Sequence, residues 1–385
     1  MKKLPIIILF LALISCQETT TQVATVVDGV VTVNVNDLKD TVTLNLSDLV
    51  ENIEVVQLDS KIEAYVSPYT PMFFSENYII ATGEQVKLFN KKTGDFITNV
   101  GARGKGHGEY KNSAGNIHIN EENSSIYLAD GMAATCIIEY DLQGKFKKQL
   151  PLADKRTMNY LNFMIDNEKN LITVFSFPQN VIIWQQDFEG NYIKKRTTVN
   201  IGNGNIGLPS SLVTNNTFNV QVSQLFNKQD TLYKYNSESH RINPIFTVKL
   251  NNPGIVKEFT ETESMIEYIE TSNNFIGTIT SFESADELSM KANFDKHVIV
   301  NKNDLSGSYM RLENDYLFNV EIEKIVSSDG YFYFPYDAEK LLEIIENATD
   351  KDRKNMNPKI LEKLDALYEN LNEESNITLF IGKMK

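Results

Sequence analysis

A turn that recurs at near-constant spacing limits what this chain can fold into more than any other feature. Gly94 sits in Lys92-Thr93-Gly94-Asp95-Phe96, Gly144 in Leu142-Gln143-Gly144-Lys145-Phe146, and Gly190 in Phe188-Glu189-Gly190-Asn191-Tyr192. The spacings are 50 and 46 residues, and each glycine is followed by one polar residue and then an aromatic. Glycine takes a positive φ without steric cost, as a tight hairpin turn requires. A fourth copy, from Leu232-Tyr233-Lys234-Tyr235 to Ile245-Phe246, keeps its strands but has no glycine. A fifth runs from Val298-Ile299-Val300 to Gly307-Ser308-Tyr309. A period of about 40–50 residues with four short strands per copy is the pattern of a propeller blade. A β-sandwich with chance similarity between hairpins is the alternative.

The remaining segments fit an all-β ring. Val26 to Val35 and Thr41 to Leu46 alternate apolar and polar residues, as strands with one buried face do. The span from Glu258 to Thr271 has mixed periodicity and reads as either strand or helix. Ile322 to Tyr336 reads as two strands around Ser328-Asp329-Gly330. Two helices are then expected. The first covers Ala338 to Ala348; the second is capped by Asn357, with Pro358 at its first position. Asn376 to Gly382 returns to strand. A lone strand after helices suggests closure, in which terminal strands complete one blade and remove exposed edges. The expected fold is a six-bladed β-propeller over residues 26–385, with a short helical insertion before the closing strand.

The N-terminus reads as an address. Lys2-Lys3 precede an apolar run from Leu4 to Ile14, and Leu13-Ile14-Ser15-Cys16 follows. That run is too short to span a bilayer, which needs about 20 apolar residues, so residues 1–15 read as a secretion signal. The last four residues resemble the bacterial lipobox, which makes Cys16 the expected acylation site and the chain's link to a membrane. An ordinary signal peptide with an incidental cysteine is the alternative. Residues 16–25 read as a polar tether. The only other cysteine, Cys136, lies in an apolar run and reads as a small buried hydrophobe rather than a catalytic thiol.

Charge and motifs narrow the chemistry. The formal net charge is −14 with no Lys/Arg-rich cluster, which argues against nucleic-acid binding. The loop Gly101 to Tyr110 is rich in glycine, but no Gly-Lys-Ser/Thr closes it and no helix follows it, so it is not a phosphate cradle. It reads as a blade-to-blade connection. Arg103, Lys105, His107, Glu109 and Tyr110 bring mixed charge to that loop and are candidate ligand-binding residues on one propeller face. Asp130, ending a strand at a loop, is a further candidate, with a turn-forming role as the alternative. The four histidines are scattered singly, so no metal site and no cofactor is expected. Asn301-Lys302-Asn303-Asp304 hints at a calcium loop, but Leu312 stands where a bidentate glutamate belongs, so a hairpin turn is expected. Trp184 reads as core. No catalytic residue is identified.

These residues together resemble the six-bladed β-propeller lipoproteins common in Bacteroidetes, relatives of NHL-repeat propellers. Three features carry the resemblance, over roughly residues 40–200. They are the lipobox, the loop Val100 to Tyr110 with its Gly-Glu-Tyr ending, and the blade from Ile126-Tyr127-Leu128-Ala129-Asp130 to Gly144-Lys145-Phe146. His107 stands where the family has proline. The resemblance implies an outer-membrane lipoprotein, periplasmic or surface-facing. It also implies a non-enzymatic binding or scaffolding role with an envelope protein or glycan as partner, near nutrient-uptake machinery. A hydrolase or lyase acting on a glycan or peptide is the competing class. Convergent carboxylates or histidines at the central channel would favour it.

Overall fold

The computed structural model describes residues 22–111, 117–129, 134–154, 161–176, 181–199, 219–222, 229–251, 262–284 and 290–385. Within them, six small sheets form a ring. The first blade takes Met72–Phe74, Tyr78–Thr82, Val86–Asn90 and Phe96–Asn99, inner to outer. The second takes Ile117–Asn120, Ser125–Ala129, Cys136–Asp141 and Phe146–Pro151, and the third takes Leu161–Asp166, Leu171–Ser176, Val181–Gln186 and Tyr192–Val199. The inner strand of the first blade lies against those of its two neighbours, the second and the sixth.

Why these strands form a ring follows from where alternate side chains go. In a strand, successive side chains point to opposite faces. Ile79 and Ala81 therefore join the core between the sixth and first blades, while Ile80 joins the core between the first and second. Ile126 and Leu128 likewise face the first blade, and Tyr127 and Ala129 the third. Both faces of each middle strand are buried, so Tyr78-Ile79-Ile80-Ala81 is apolar at every position where a one-faced sheet would alternate. Trp184 belongs to the core between the second and third blades, fully buried, with its indole N–H donating to Gln186 Oε1 at 2.9 Å. Cys136 is half-buried, less enclosed than its apolar neighbours suggest.

The N-terminal segment wraps the outside of the ring and supplies what three blades lack. Val30–Asn34 pairs parallel with Arg241–Lys249 on the fourth blade, and Thr25–Val27 pairs with it in turn. Thr41–Asn45 pairs parallel with Gly307–Asn314, the outer strand of the fifth blade. Val50–Gln57 then becomes the outer strand of the sixth blade, antiparallel to the C-terminal strand Thr378–Met384. That sheet, completed by Ser327–Ser328 and Tyr331–Tyr336, joins both ends of the chain. The segment of mixed periodicity is a strand over Thr262–Glu270, the inner strand of the fifth blade.

One turn geometry recurs in five blades. An Asn or Asp opens the turn before the outer strand, and its side chain accepts backbone N–H groups from within the turn. Asn90 does so for Lys92 and Thr93, Asp141 for Gln143 and Lys145, and Asn301 for Asn303 and Asp304. Asp187 and Asn236 do the same in the third and fourth blades. The turn closes on a residue of positive φ: Gly94 at 78°, Gly144 at 74°, Gly190 at 84°, His240 at 53° and Leu305 at 59°. The fourth copy therefore keeps the conformation without the glycine. The fifth copy differs from the expected alignment, because the left-handed residue is Leu305 and Gly307 opens the outer strand.

In the first two blades, glycine meets a second demand. A Cβ on Gly94 would lie 1.8 Å from the carbonyl oxygen of Gln57, at the end of the sixth blade's outer strand. A Cβ on Gly144 would lie 2.1 Å from that of Asn99, at the end of the first blade's outer strand. Outer strands thus meet head to tail, and hydrogen bonds close each joint: Asp59 N to Gly94 O at 2.9 Å, and Gly101 N to Gly144 O at 2.8 Å. At the third joint the approach is looser, a Cβ on Gly190 lying 2.9 Å from Pro151 O, and a carboxamide makes the hydrogen bonds: Gln186 Nε2 donates to Pro151 O at 2.7 Å and its Oε1 accepts from Ala153 N.

Both expected helices form. Ala338–Asn347 starts at Asp337, and Pro358–Asn370 is capped by Asn357. A third, Asp350–Asn355, lies between them behind a Thr349/Asp352 capping box. They pack Leu341, Ile345, Met356 and Leu364 onto the core shared by the fifth and sixth blades.

Gly144→Ala is expected to destabilise by about 2 kcal/mol or more, because a strained φ adds to a backbone clash. Gly29→Ala, at φ 81° with open space around it, is expected to lose about 1 kcal/mol. Urea denaturation of the two variants checks the difference; equal losses would mean that the joint is not under tight contact.

Candidate functional site

The loop that drew attention in the sequence connects the first blade to the second, and much of it is committed to its own architecture. Tyr110 is fully buried and its hydroxyl accepts the Val86 N–H at 3.0 Å. Glu109 is half-buried, and its Oε2 accepts from Gly106 N at 2.7 Å within the same loop. Gly101 sits on the Tyr140 ring, whose hydroxyl donates to Gly108 O at 2.9 Å. Arg103 Nε donates to Lys111 O, and the His107 ring meets Phe146 edge-on at 4.7 Å. Arg103, Lys105 and His107 remain exposed. The structure therefore groups three of the candidate side chains on the surface and turns Tyr110 into core. Asp130 and Cys16 lie outside the described residues.

A second connection, from the sixth blade's outer strand to the first blade's inner strand, has the opposite character. Ile62 is 93% exposed, Tyr69 91% and Tyr65 58%. This loop is held from beneath. Asn376, fully buried, donates from Nδ2 to Asp59 O at 2.8 Å and to Ala64 O at 3.0 Å. Its Oδ1 accepts from Val66 N at 3.2 Å and Ile377 N at 3.0 Å. Lys87 Nζ donates to the carbonyls of Glu63 and Tyr65 at 2.6 and 2.8 Å, and Ala64 and Val66 are buried. The strand end at Gln57 pairs with Thr378, so this loop and the helices emerge at the same end of the sixth blade. Nothing in the sequence signalled it, because Tyr65 and Tyr69 follow no period and the clamping residue is 310 to 317 positions from the groups it holds.

A strongly perturbed carboxyl lies near the ring's inner strands. Asp329 opens an Asp-Gly hairpin turn at φ 50°, followed by Gly330 at 82°, the positive pair that a two-residue turn of this hand requires. Its carboxylate accepts from Phe74 N at 3.0 Å and from the Ser328 hydroxyl at 2.9 Å. Burial pushes Asp329 up to about 6, against the lowering effect of those two bonds. Beside it, burial pushes Tyr333 up to about 12 while its hydroxyl accepts from Met72 N. Both groups satisfy N–H groups on the first blade's inner strand, so they bind the sixth blade to the first. Among the described residues no group of three or more His, Cys, Asp or Glu side chains could hold a metal ion.

A cavity of about 760 Å³ opens at the ring's edge, between the N-terminal strap and the fifth blade. It lies where the chain enters the fold, beside Gln22 and Val23, and where Asp37 to Leu44 cross toward the outer strand. Val23 N and Ala24 N both donate to Leu305 O, so the entering chain is fastened to the fifth blade's turn.

Residues 30–383 match the family described as a domain of unknown function, DUF4934. The chain belongs to that family. The match begins with the strap strand on the fourth blade and ends in the C-terminal strand, so the DUF4934 unit includes both partners of the closing pair. No curated protein matches. Among solved structures, the chain is similar to a protein from Lactobacillus plantarum at 11% identity, covering 69% of this chain and 86% of that one, with a TM-score of 0.37. It is similar to the calcium-binding protein regucalcin from Agrobacterium tumefaciens at 12% identity, with coverage of 56% and 68% and a TM-score of 0.31. It is also similar to the computationally designed Ika8 protein at 10% identity, with coverage of 62% and 70% and a TM-score of 0.33.

Two consequences for this DUF4934 chain are measurable. Folded Asp329 keeps its proton up to about pH 6, whereas the unfolded chain releases it near the ordinary value of 3.8. Its stabilising contribution is thus fully present below about pH 4 and is lost as pH rises through 6. Relative to Asp329→Asn, the wild type is expected to lose on the order of 2 kcal/mol between pH 4 and pH 7. Parallel denaturation curves at several pH values check this, and a constant offset would contradict it. Asn376→Ala leaves Val66 N, Asp59 O and Ala64 O without their partner and is expected to cost about 2–4 kcal/mol. Limited proteolysis within residues 59–70 should accelerate in the same variant.

Proposed function

We propose that this chain is an envelope lipoprotein, acylated at Cys16, whose propeller serves as a non-enzymatic binding or scaffolding module for a protein partner. The observation that carries the reading is the clamped loop with Ile62, Tyr65 and Tyr69 in solvent. Binding energy at protein interfaces concentrates in a few residues, with tyrosine prominent among them. A loop whose backbone is already held in place loses less entropy when a partner closes over it. A loop fixed by a buried asparagine from a distant strand, yet exposing three large side chains, is arranged for contact rather than for packing within the monomer.

The anchor reading bears on the fifth blade. No helix among the described residues is long and apolar enough to cross a membrane. From Cys16 to Gln22 the chain has six steps, which reach about 20 Å at full extension. Gln22 bridges to Ser306 on the fifth blade's turn. An acyl group at Cys16 therefore holds the turn end of that blade near the bilayer. The Tyr65–Tyr69 loop leaves its outer strand at the Gln57 end, beside the first blade's turn, where Asp59 N donates to Gly94 O. The loop of Arg103, Lys105 and His107 leaves the first blade in the same way, beside the second blade's turn, where Gly101 N donates to Gly144 O. The blades read as NHL-like repeats, and outer-membrane machinery for nutrient or glycan uptake is the setting this reading favours.

In intact cells, a photo-crosslinker in place of Tyr69 is expected to give one discrete adduct that the Ile62→Ala/Tyr65→Ala background removes. The same probe at Lys148 should give none. Absence of any adduct at position 69, or an adduct insensitive to the background, would sink the docking reading. Cys16→Ser is expected to move the chain out of the membrane fraction, which tests the anchor separately.

A further inference from the structure

The cavity between the strap and the fifth blade has no part in the docking surface, and its wall chemistry is specific enough to name a ligand class. Asn274 and Ser308 are half-buried, and their side chains make no hydrogen bond to any described residue. Asp37 and Asp40 on the crossing segment likewise keep their carboxylates free of described partners. Elsewhere, the buried carboxamides of Asn376 and Gln186 use both ends of the group. Asp37 and Asp40 are exposed and Asn274 and Ser308 half-buried, so all four are open to this volume, where a ligand or water can meet them. Val42, Leu44 and Ile299 supply an apolar wall in the same cavity.

We infer that this cavity is a binding site for a neutral, hydroxyl-rich small molecule of di- to trisaccharide size. A carboxamide presents a donor and an acceptor side by side, and a carboxylate presents two acceptors; adjacent hydroxyls on a ring satisfy either. The apolar wall suits the C–H face of such a ring. Two carboxylates against the single ammonium of Lys39, on a chain of net charge −14, disfavour an anionic ligand. The volume of about 760 Å³ falls within the range of small-molecule sites, roughly 300–1,000 Å³. One wall is the entering chain itself. Gly307 lets it approach, since a Cβ there would lie 2.9 Å from Val23 Cγ2. A bound ligand would therefore fasten the entering chain and the crossing segment to the fifth blade.

The test uses the purified full chain and needs neither the anchor nor the docking partner. Cellotriose, maltotriose, xylotriose and chitotriose are titrated by calorimetry, with trigalacturonate as the anionic control. At least one neutral trisaccharide is expected to bind saturably, and Asp40→Ala/Asn274→Ala should weaken it at least tenfold while leaving the ligand-free melting temperature unchanged. Val42→Trp, an outward-facing change that fills the mouth, should also abolish binding and covers the case in which the double variant misfolds. No binding by any of the four, binding that survives both variants, or equal binding of trigalacturonate would overturn the inference.

Discussion

The joint between successive outer strands is the contact on which the ring depends. A blade is a twisted sheet with two apolar faces, and each face is buried only by the next blade. The angle between blades must therefore be held at the periphery as well as at the packed centre. Here the end of one outer strand runs into the turn that opens the next, so closely that no side-chain carbon fits between Gly94 and Gln57 or between Gly144 and Asn99. The same left-handed residue that lets the hairpin turn also lets a neighbouring carbonyl approach. One small residue thus answers two demands at once, which explains why glycine is kept where the joint is tightest. At the fourth and fifth turns, His240 and Leu305 take the same conformation with a side chain in place.

Closure of the ring uses this joint too. The strand that Gly94 abuts is Val50–Gln57, which comes from the N-terminal part of the chain and completes a sheet begun by the C-terminal part. Neither end can leave without opening the sixth blade. The strap before it lies along the outer edges of the fourth and fifth blades and blunts two edges that would otherwise offer unpaired backbone groups. Wrapping also has a by-product: where the strap crosses from one blade to the next it stands away from the sheet, and the cavity lies in that gap.

The two ends of the blades have different work. At the turn end, Asn and Asp side chains absorb the backbone N–H groups, and Val23 and Ala24 are fastened to Leu305 O. At the other end, longer connections leave the strands and are fixed individually, by Glu109 and Tyr110 in one case and by Asn376 and Lys87 in another. The first solution folds its polar and aromatic groups inward and exposes three basic side chains. The second exposes its apolar groups. Asp329 and Tyr333, which from sequence resemble a turn residue and a strand residue, hold neighbouring blades together through backbone N–H groups.

The repeating turn, the apolar strands and the two helix caps were legible in the sequence, because each depends on residues within about ten positions of one another. Glycine, proline and Asx residues act on their own backbone, so Gly94, Gly144, Gly190, Asn357 and Pro358 carry their meaning locally. Long-range placement was not legible. Periodicity shows that Val30–Asn34 is a strand but not that it lies parallel on the fourth blade, since any edge of the right length would pair with it. Glu109-Tyr110 looks like a surface pair until Val86 N and Gly106 N are brought to it, while Tyr65 and Tyr69 look unremarkable until Asn376 arrives from the far end of the chain. The sequence by itself determined the repeating unit and its turns; the tertiary structure alone decided which side chains were spent on holding blades together and which were left facing solvent or a cavity, because that depends on partners hundreds of residues apart.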